Sequence, residues 1–337
     1  MPTDEQSTTA FSYLTPARPV RPTSIAGRFR IAGASPDGDS VRFVPDDPRA
    51  WARAGIRARV NASGGAQLRL DAIDTLETHF SPPGGRGTWR QPADLAVGAT
   101  ESLLRRLGFT SWQRDADTGT ISGAAPVDVP GWVVTAGADI NGRPVSFVLA
   151  GDRASAGAEW SAGGSGAGSD GAVTLTPSML SQTLNSAQLS DGLAYPTFYD
   201  ELPGDLRESL AATAVAARAA GLGVWARDVT TAGFEVTGRA QLETEVVLLP
   251  KLFRRLAEYL SLDGDGSRSP SLARFGEFLA VSADAVRVVT DGDAGDGVLT
   301  TLADLVEVDG QRVRLPQPPE RLVFIEKETR LQARPGA

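Results

Sequence analysis

The sequence predicts an α+β protein in which helices pack against a small closed β-barrel, with a second, smaller α/β unit after it. Short segments of alternating apolar and polar residues, separated by turn-forming residues, fill much of the first half. Helical apolar spacing follows at 94–107 and again after residue 176. This order of strands and a helix, then a hairpin and two helices, favours the barrel arrangement. The length of 337 residues also favours more than one domain.

Three strand pairs are predicted in the first half of the chain. In each pair, apolar residues alternate on both sides of a segment rich in Gly, Asp or Asn, which is typical of hairpins. The pairs are 27–45, with Asp37-Gly38-Asp39 as a tight turn; 56–60 with 67–73; and 132–135 with 144–149 around Asn141-Gly142.

Five helices are predicted from apolar spacing and from Pro and Gly at helix ends. They cover 94–107, 176–189, 206–220, 250–260 and 271–280. Strands are expected within 299–327. Residues 244–249 fit either a strand or an earlier helical turn.

Composition shifts predict the domain boundaries. Residues 1–24 are rich in Pro, Thr and Ser and are expected to form a disordered arm. Residues 25–230 are expected to form the barrel domain, with a flexible Gly/Ser-rich insertion at 151–172. Residues 232–337 are expected to form the α/β unit, in which no motif identifies a role.

Charge and composition limit the classes of function. The net charge is −8 and the pI is near 4.9, which argues against a protein that passively coats nucleic acid. An enzyme needs only a local positive pocket and is less affected by this argument. No cysteine is present, so a metal would take oxygen ligands, with His79 as the only histidine. No apolar run is long enough for a membrane span and the first residues do not form a secretory signal, so a soluble, cytoplasmic protein is expected.

Three short motifs carry the candidate chemistry. They are Asp37-Gly38-Asp39; Arg69 followed by Asp74-Thr75-Leu76-Glu77; and Asp139-Ile140-Asn141-Gly142-Arg143. Carboxylates can bind a hard cation and activate water, and guanidinium groups can bind phosphoryl oxygens. Together these residues form a set suited to breaking a phosphodiester.

Each motif alone also has a structural interpretation. Asp-Gly-Asp is usually a solvated turn, and the loops at 263–266 and 291–293 are interpreted as such because they lack the Glu of an EF-hand. Arg69 fits a solvent-facing strand charge, and Asp74-Thr75 fits a helix cap. Arg143 fits a surface residue beside a hairpin. His79 is interpreted as an exposed loop residue rather than a ligand or base.

In order and spacing, the three motifs resemble the staphylococcal nuclease (thermonuclease) family over about residues 27–226. Gly192-Leu193-Ala194 and the segment from Gly221 to Trp225 also match the family. Leu76 replaces a family proline and Asn141 replaces a family tyrosine. The resemblance implies an OB-fold-like five-stranded barrel with packed helices.

The resemblance also implies a role for each matching residue. Asp39, Asp74 and the Thr75 carbonyl would bind Ca²⁺, and Glu77 would be the general base. Arg69 and Arg143 would bind the phosphate and stabilise the transition state. The expected substrate-binding residues are Asp37, Asn141 and Tyr199, although Tyr199 or Phe198 in this position fits a core role equally well. The implied activity is calcium-dependent hydrolysis of DNA, RNA or both, with low sequence specificity and 3′-phosphate products.

The alternative is a binding or scaffold module that recognises nucleic acid or protein without catalysis. The acidic net charge keeps protein partners open, and residues 232–337 fit a role in interaction or self-association. A third expectation is that this unit restrains the nuclease.

Overall fold

A computed structural model describes residues 22–84, 87–115, 118–151, 160, 171–262, 271–290 and 297–325. Several expectations lie outside these residues: most of the predicted N-terminal arm, most of the Gly/Ser-rich insertion, and the loops at 263–266 and 291–293. Thr23 and Ser24, expected in the arm, belong to the first strand.

The strands, numbered in chain order, are β1 Thr23–Phe29, β2 Ser40–Pro45, β3 Ala66–Leu70, β4 Ile73–Thr75, β5 Ser111–Arg114, β6 Ile121–Ala125, β7 Val129–Ala138, β8 Pro144–Ala150, β9 Ala194–Pro196, β10 Phe198–Tyr199, β11 Phe234–Glu235, β12 Ala285–Val288, β13 Val298–Thr301, β14 Glu307–Asp309, β15 Arg312–Arg314 and β16 Leu322–Phe324.

The helices are α1 Ala50–Arg53, α2 Ala93–Leu107, α3 Pro177–Leu180, α4 Leu184–Ser190, α5 Gly204–Ala219, α6 Arg239–Thr244, α7 Pro250–Leu260, α8 Phe275–Ser282 and α9 Leu302–Leu305, with 3₁₀ turns at Gly223–Ala226 and Pro319–Arg321. Within the described ranges, none of them is long and apolar enough to cross a membrane.

Five strands close into a barrel in the order β1-β2-β3-β8-β7. Its interior is filled by aromatic and aliphatic side chains, and the rings of Phe29 and Phe43 lie 5.1 Å apart at 58°. Two glycines make room for these rings: a Cβ on Gly131 would lie 2.4 Å from the Phe29 ring, and one on Gly27 would lie 2.6 Å from the Phe43 ring. The predicted α+β class, with a barrel and packed helices, is confirmed.

Several predicted elements differ from the structure. The tight turn at Asp37–Asp39 is the end of a longer connection, because β1 stops at Phe29 and β2 starts at Ser40. Residues 56–60 form no strand, and Val60 makes an isolated bridge to Ala66. The helix predicted over 176–189 is interrupted before Thr183, whose hydroxyl accepts a hydrogen bond from the Ser186 N–H and starts a new helix.

The C-terminal strands and helices share a core with part of the barrel unit. Leu76, Trp89 and Tyr195 pack in one buried cluster with side chains of α7, among them Leu252 and Phe253. In addition, β10 pairs in parallel with β16, within a sheet of order β10-β16-β12-β13. Of residues 244–249, Thr244 ends α6, Glu245 lies in a turn, and Val247 makes an isolated parallel bridge to Asp228 before α7 begins at Pro250.

Candidate active site

The barrel brings the first two motifs, those of Asp39 and of Arg69 to Glu77, together at one end. Ser40 is the register partner of Arg69, so Asp39 lies beside the end of β3. The Leu70 N–H donates to the Asp39 carbonyl at 2.7 Å. After Leu70 the chain turns through Ala72, at a φ of 65°, and enters β4 with Asp74 in its centre. Residues that are 30 or more positions apart therefore meet at one point.

The loop carrying Asp39 is fixed by close packing and by a buried amide. A Cβ on Gly38 would lie 2.7 Å from the Ala99 Cβ and 2.8 Å from the Thr75 side chain, so only glycine allows this approach. The buried Gln188 side chain donates to the Gly38 carbonyl at 2.7 Å and to the Ala99 carbonyl at 2.9 Å. Helix α4 thus holds the loop against α2.

Arg69 bridges the two aspartates. Its Nη1 lies 3.1 Å from Asp39 Oδ2 and its Nη2 lies 2.9 Å from Asp74 Oδ1. The Thr75 N–H also donates to Asp39 Oδ2, at 3.1 Å. Both carboxylates are buried, and the Asp74 side chain has no exposed surface. The structure therefore places Arg69, Asp39, Asp74 and Thr75 in one cluster.

Glu77 completes the acidic side of the cluster. Its backbone N–H donates to the side chain of buried Gln91 at 3.2 Å, and Gln91 in turn donates to the Leu248 carbonyl at 2.8 Å. This amide ties the loop after β4 to the segment that leads into α7. The Glu77 carboxylate faces the cluster, where Arg254 donates to its Oε1.

Arg254, from α7, lies in the cluster although it belongs to none of the three motifs. Its Nη2 lies 2.5 Å from Asp74 Oδ2, its Nη1 lies 3.2 Å from Asp74 Oδ1, and the same Nη1 pairs with Glu77. Arg69 and Arg254 together place hydrogen bonds on both oxygens of Asp74. The local signal available in the sequence was the basic set on α7, Lys251, Arg254 and Arg255, but nothing in it indicates which partner each would find.

Burial and charge set the protonation of the three acids. Burial raises the pKa of Asp39 well above its ordinary value; Arg69 opposes this, and the nearby carboxylates of Asp37, Asp74 and Glu77 add to it. Burial also raises the pKa of Glu77, despite Arg254. For Asp74 burial acts in the same direction, but Arg254 and Arg69 outweigh it and hold its pKa well below the ordinary range. The cluster thus holds one firmly ionised acid between two that take up protons more readily.

Tyr199 and Lys251 lie at the edge of the cluster. The Lys251 Nζ is 4.4 Å from the Phe324 ring centroid and 5.7 Å from that of Tyr199. Tyr199 is half-buried and lies within electrostatic reach of Arg69. Burial lowers the pKa of Lys251 to about 8. The tyrosine therefore stands beside the basic side chains and also packs on Phe324.

The remaining expected residues lie farther out. Asp37 accepts a hydrogen bond from the Asp39 N–H at 3.3 Å and acts on the cluster through its charge. Arg143 pairs with Asp139 at 2.7 Å, and its backbone stands two residues before Val145, the register partner of Arg69. Asn141 is exposed on the hairpin turn, and its N–H donates to Asp139. His79 is exposed and contacts Thr78.

The donor set suits a hard cation, and protein cations already pair with it. Asp39, Asp74 and Glu77 share two guanidinium groups, and Asp37 is a fourth carboxylate within electrostatic reach. Carboxylate oxygens are among the ligands that hard cations such as Ca²⁺ take in proteins. Among the residues that the structure describes, no group of three or more acidic or histidine side chains could by itself hold a metal ion.

The closed five-stranded barrel with flanking helices defines the class of the fold, which is compatible with OB-like and staphylococcal nuclease-like proteins. No protein-family model matches the chain, and no curated protein matches it significantly. Membership of the staphylococcal nuclease family therefore stays a prediction.

Proposed function

We propose that this chain is a calcium-dependent nuclease that hydrolyses phosphodiester bonds of DNA or RNA with low sequence specificity. The observation that carries the proposal is the meeting of Asp39, Arg69, Asp74 and Glu77 at one end of the barrel. A stability role alone does not require this set, since apolar side chains of similar volume would stabilise such a position as well or better.

In this proposal Asp39, Asp74 and the Thr75 carbonyl would hold the ion, which would supply positive charge to the phosphoryl oxygens when bound. Glu77 accepts the proton of the attacking water. Its raised pKa brings it closer to neutral pH, where a general base accepts a proton more effectively. Arg69 neutralises charge on the equatorial oxygens, an effect that grows towards the transition state. We propose that Arg143 also neutralises charge on these oxygens, and that it breaks its ion pair with Asp139 to do so.

The test is digestion of labelled single- and double-stranded DNA and of RNA, with Ca²⁺ or with a chelator. Wild type is expected to cleave only with Ca²⁺. Glu77→Gln keeps the shape of the side chain but cannot accept a proton, so we expect a rate loss of about 10²- to 10⁴-fold. Glu101→Gln, on the exposed face of α2, is the matched control and should cleave like wild type.

A binding module without catalysis is the second candidate, and one observation favours it. Asp74 is fully buried and paired with two arginines, as expected of an acid that has become structural. Nucleic-acid binding without cleavage, identical in wild type and Glu77→Gln, would decide for this candidate and against the nuclease.

A further inference from the structure

The contact between Arg254 and the acidic cluster has the geometry of a specific ion pair. The guanidinium meets the Asp74 carboxylate with two parallel hydrogen bonds and reaches Glu77 with one of the same nitrogens. Bidentate arginine–carboxylate pairs of this kind are among the strongest charge-assisted hydrogen-bonded contacts in proteins. Arg254 comes from α7, 180 residues away from Asp74 in the chain.

The same contact uses the oxygens that a divalent ion would need. Asp74 Oδ2 accepts from Arg254, and Asp74 Oδ1 accepts from both Arg254 and Arg69. A cation bound at Asp74 would lie against the guanidinium, and like charges at such a distance repel strongly in a buried site. Ion binding therefore requires the Arg254 side chain to leave Asp74 and Glu77.

The position of Arg254 is fixed by the fold rather than by a loose segment. Leu252, Phe253 and Leu256 of α7 are buried in the shared core, and Gln91 connects the loop of Glu77 with Leu248 just before the helix. The Arg254 side chain itself keeps 21% of its surface exposed. A rotation of this one side chain towards solvent releases Asp74 Oδ2 and the Glu77 carboxylate while the helix stays in place, and Arg69 keeps its contacts with Asp39 and Asp74 Oδ1.

We propose that Arg254 is an autoinhibitory residue that competes with Ca²⁺ for Asp74 and Glu77. The competing ion follows from the proposed function, on which this inference rests. While Arg254 is docked, the proposed metal ligand Asp74 and the proposed base Glu77 are both neutralised by the protein. High Ca²⁺ or a bound nucleic-acid phosphate, which offers Arg254 a new anionic partner, would shift the side chain away.

The test is Ca²⁺ binding measured by titration calorimetry on the full chain, in the absence of nucleic acid. Arg254→Gln removes the competing charge, so its affinity for Ca²⁺ should exceed that of wild type by about 10- to 100-fold, as expected for loss of a charged hydrogen-bonded contact. Arg255→Gln is the matched control. Arg255 is the next residue on α7 and pairs with Asp284 and Glu258 instead, so its loss should leave Ca²⁺ affinity unchanged.

A second readout separates competition from a purely structural role. Removing Arg254 leaves Asp74 and Glu77 with less countercharge, so Arg254→Gln should melt at a lower temperature without Ca²⁺ and recover with it. Wild type should show a smaller Ca²⁺-induced rise in melting temperature. An Arg254→Gln protein that is destabilised equally with and without Ca²⁺ would show that the arginine only stabilises the fold.

Unchanged or weaker Ca²⁺ binding by Arg254→Gln overturns the inference, and so does the absence of binding by both proteins. If Arg254→Gln does not fold, Arg254→Lys decides, because lysine keeps the charge but loses the double contact and should raise the affinity at least severalfold. Unchanged affinity in Arg254→Lys then overturns the inference. Tighter Ca²⁺ binding by Arg254→Gln, with no cleavage by either protein, would reject the proposed nuclease activity and support competition by Arg254. Ca²⁺-dependent cleavage, with equal Ca²⁺ affinities of wild type and Arg254→Gln, would support the nuclease activity and reject the competition.

Discussion

Asp74 and Asp128 offer a direct measure of what burial does to an ion pair, because each carboxylate pairs with two arginines. Asp74 has no exposed surface and pairs with Arg69 and Arg254. Asp128 is 20% exposed and pairs with Arg28 and Arg30, which are 49% and 40% exposed. The substitution Asp→Asn is the same at both positions and nearly isosteric.

The losses of unfolding free energy in Asp74→Asn and Asp128→Asn should differ severalfold. Breaking a buried pair by removing one partner costs about 3–5 kcal/mol, because the remaining charge stays buried and uncompensated. Exposed pairs are worth about 0–1 kcal/mol each, so the two pairs of Asp128 give at most about 2 kcal/mol. Urea denaturation of Asp74→Asn and Asp128→Asn beside wild type, in chelator, measures both. Equal losses would refute the view that the buried cluster is held together by charge.

The pH dependence of Asp74→Asn gives an independent check with a definite sign. The pKa of Asp74 is held well below its ordinary value, whereas an unfolded aspartate has a pKa of about 3.9. Its contribution to stability is therefore fully present above about pH 4 and is lost as the pH falls further towards the folded pKa. The gap in stability between wild type and Asp74→Asn should narrow as the pH is lowered from about 5 to 3.

Two further predictions concern the loop of Asp39 and the edge of the cluster. Gly38→Ala forces a Cβ to within 2.8 Å of Thr75, so it should lower the free energy of unfolding by about 1–3 kcal/mol and weaken Ca²⁺ binding. Gly98→Ala places its Cβ in open space on α2, so it should raise the free energy of unfolding by about 0.5–1 kcal/mol. Equal effects of the two changes would contradict the packing argument. Burial lowers the pKa of Lys251 to about 8 in the folded protein, whereas an unfolded lysine has a pKa of about 10.4. Between these two pH values the unfolded state binds more protons than the folded state, so the stability of wild type should rise with pH over that range. Lys251→Met should abolish this rise, and at pH 7 its free energy of unfolding should exceed that of wild type by about 1–3 kcal/mol. A Lys251→Met protein that is less stable than wild type would show that the lysine charge stabilises the fold.

The elements that could be predicted are those with a local cause. Pro250 at the start of α7 and the apolar spacing behind it predicted a helix that the structure forms over Pro250–Leu260. The helix over Ala93–Leu107 likewise ends at Gly108, whose φ is 110°. Residues 56–60 alternate like a strand but form none, since the Arg59 N–H donates instead to the Gly142 carbonyl of another hairpin.

The candidate site likewise contains residues that local motifs predicted and one residue that they did not. Asp39, Arg69, Asp74 and Glu77 stand in motifs whose order and spacing predicted a common site, and the register of β2 with β3 brings the first two together. Arg254 could not be predicted, because its partners are far away in sequence and its own neighbours resemble an ordinary amphipathic helix. The identity of a countercharge is decided by tertiary packing, about which local spacing carries no information.

The parallel pairing of β10 with β16 has a consequence for how this chain folds. Phe198 aligns with Val323 and Tyr199 with Phe324, so one sheet joins strands more than a hundred residues apart. Contacts of such sequence separation slow folding, because loop closure has to precede the contacts that reward it. On the ribosome, the barrel strands emerge long before residue 324. The acidic cluster is thus synthesised well ahead of the helix that carries its second arginine, and the sheet beside it can close only after β16 has left the exit tunnel.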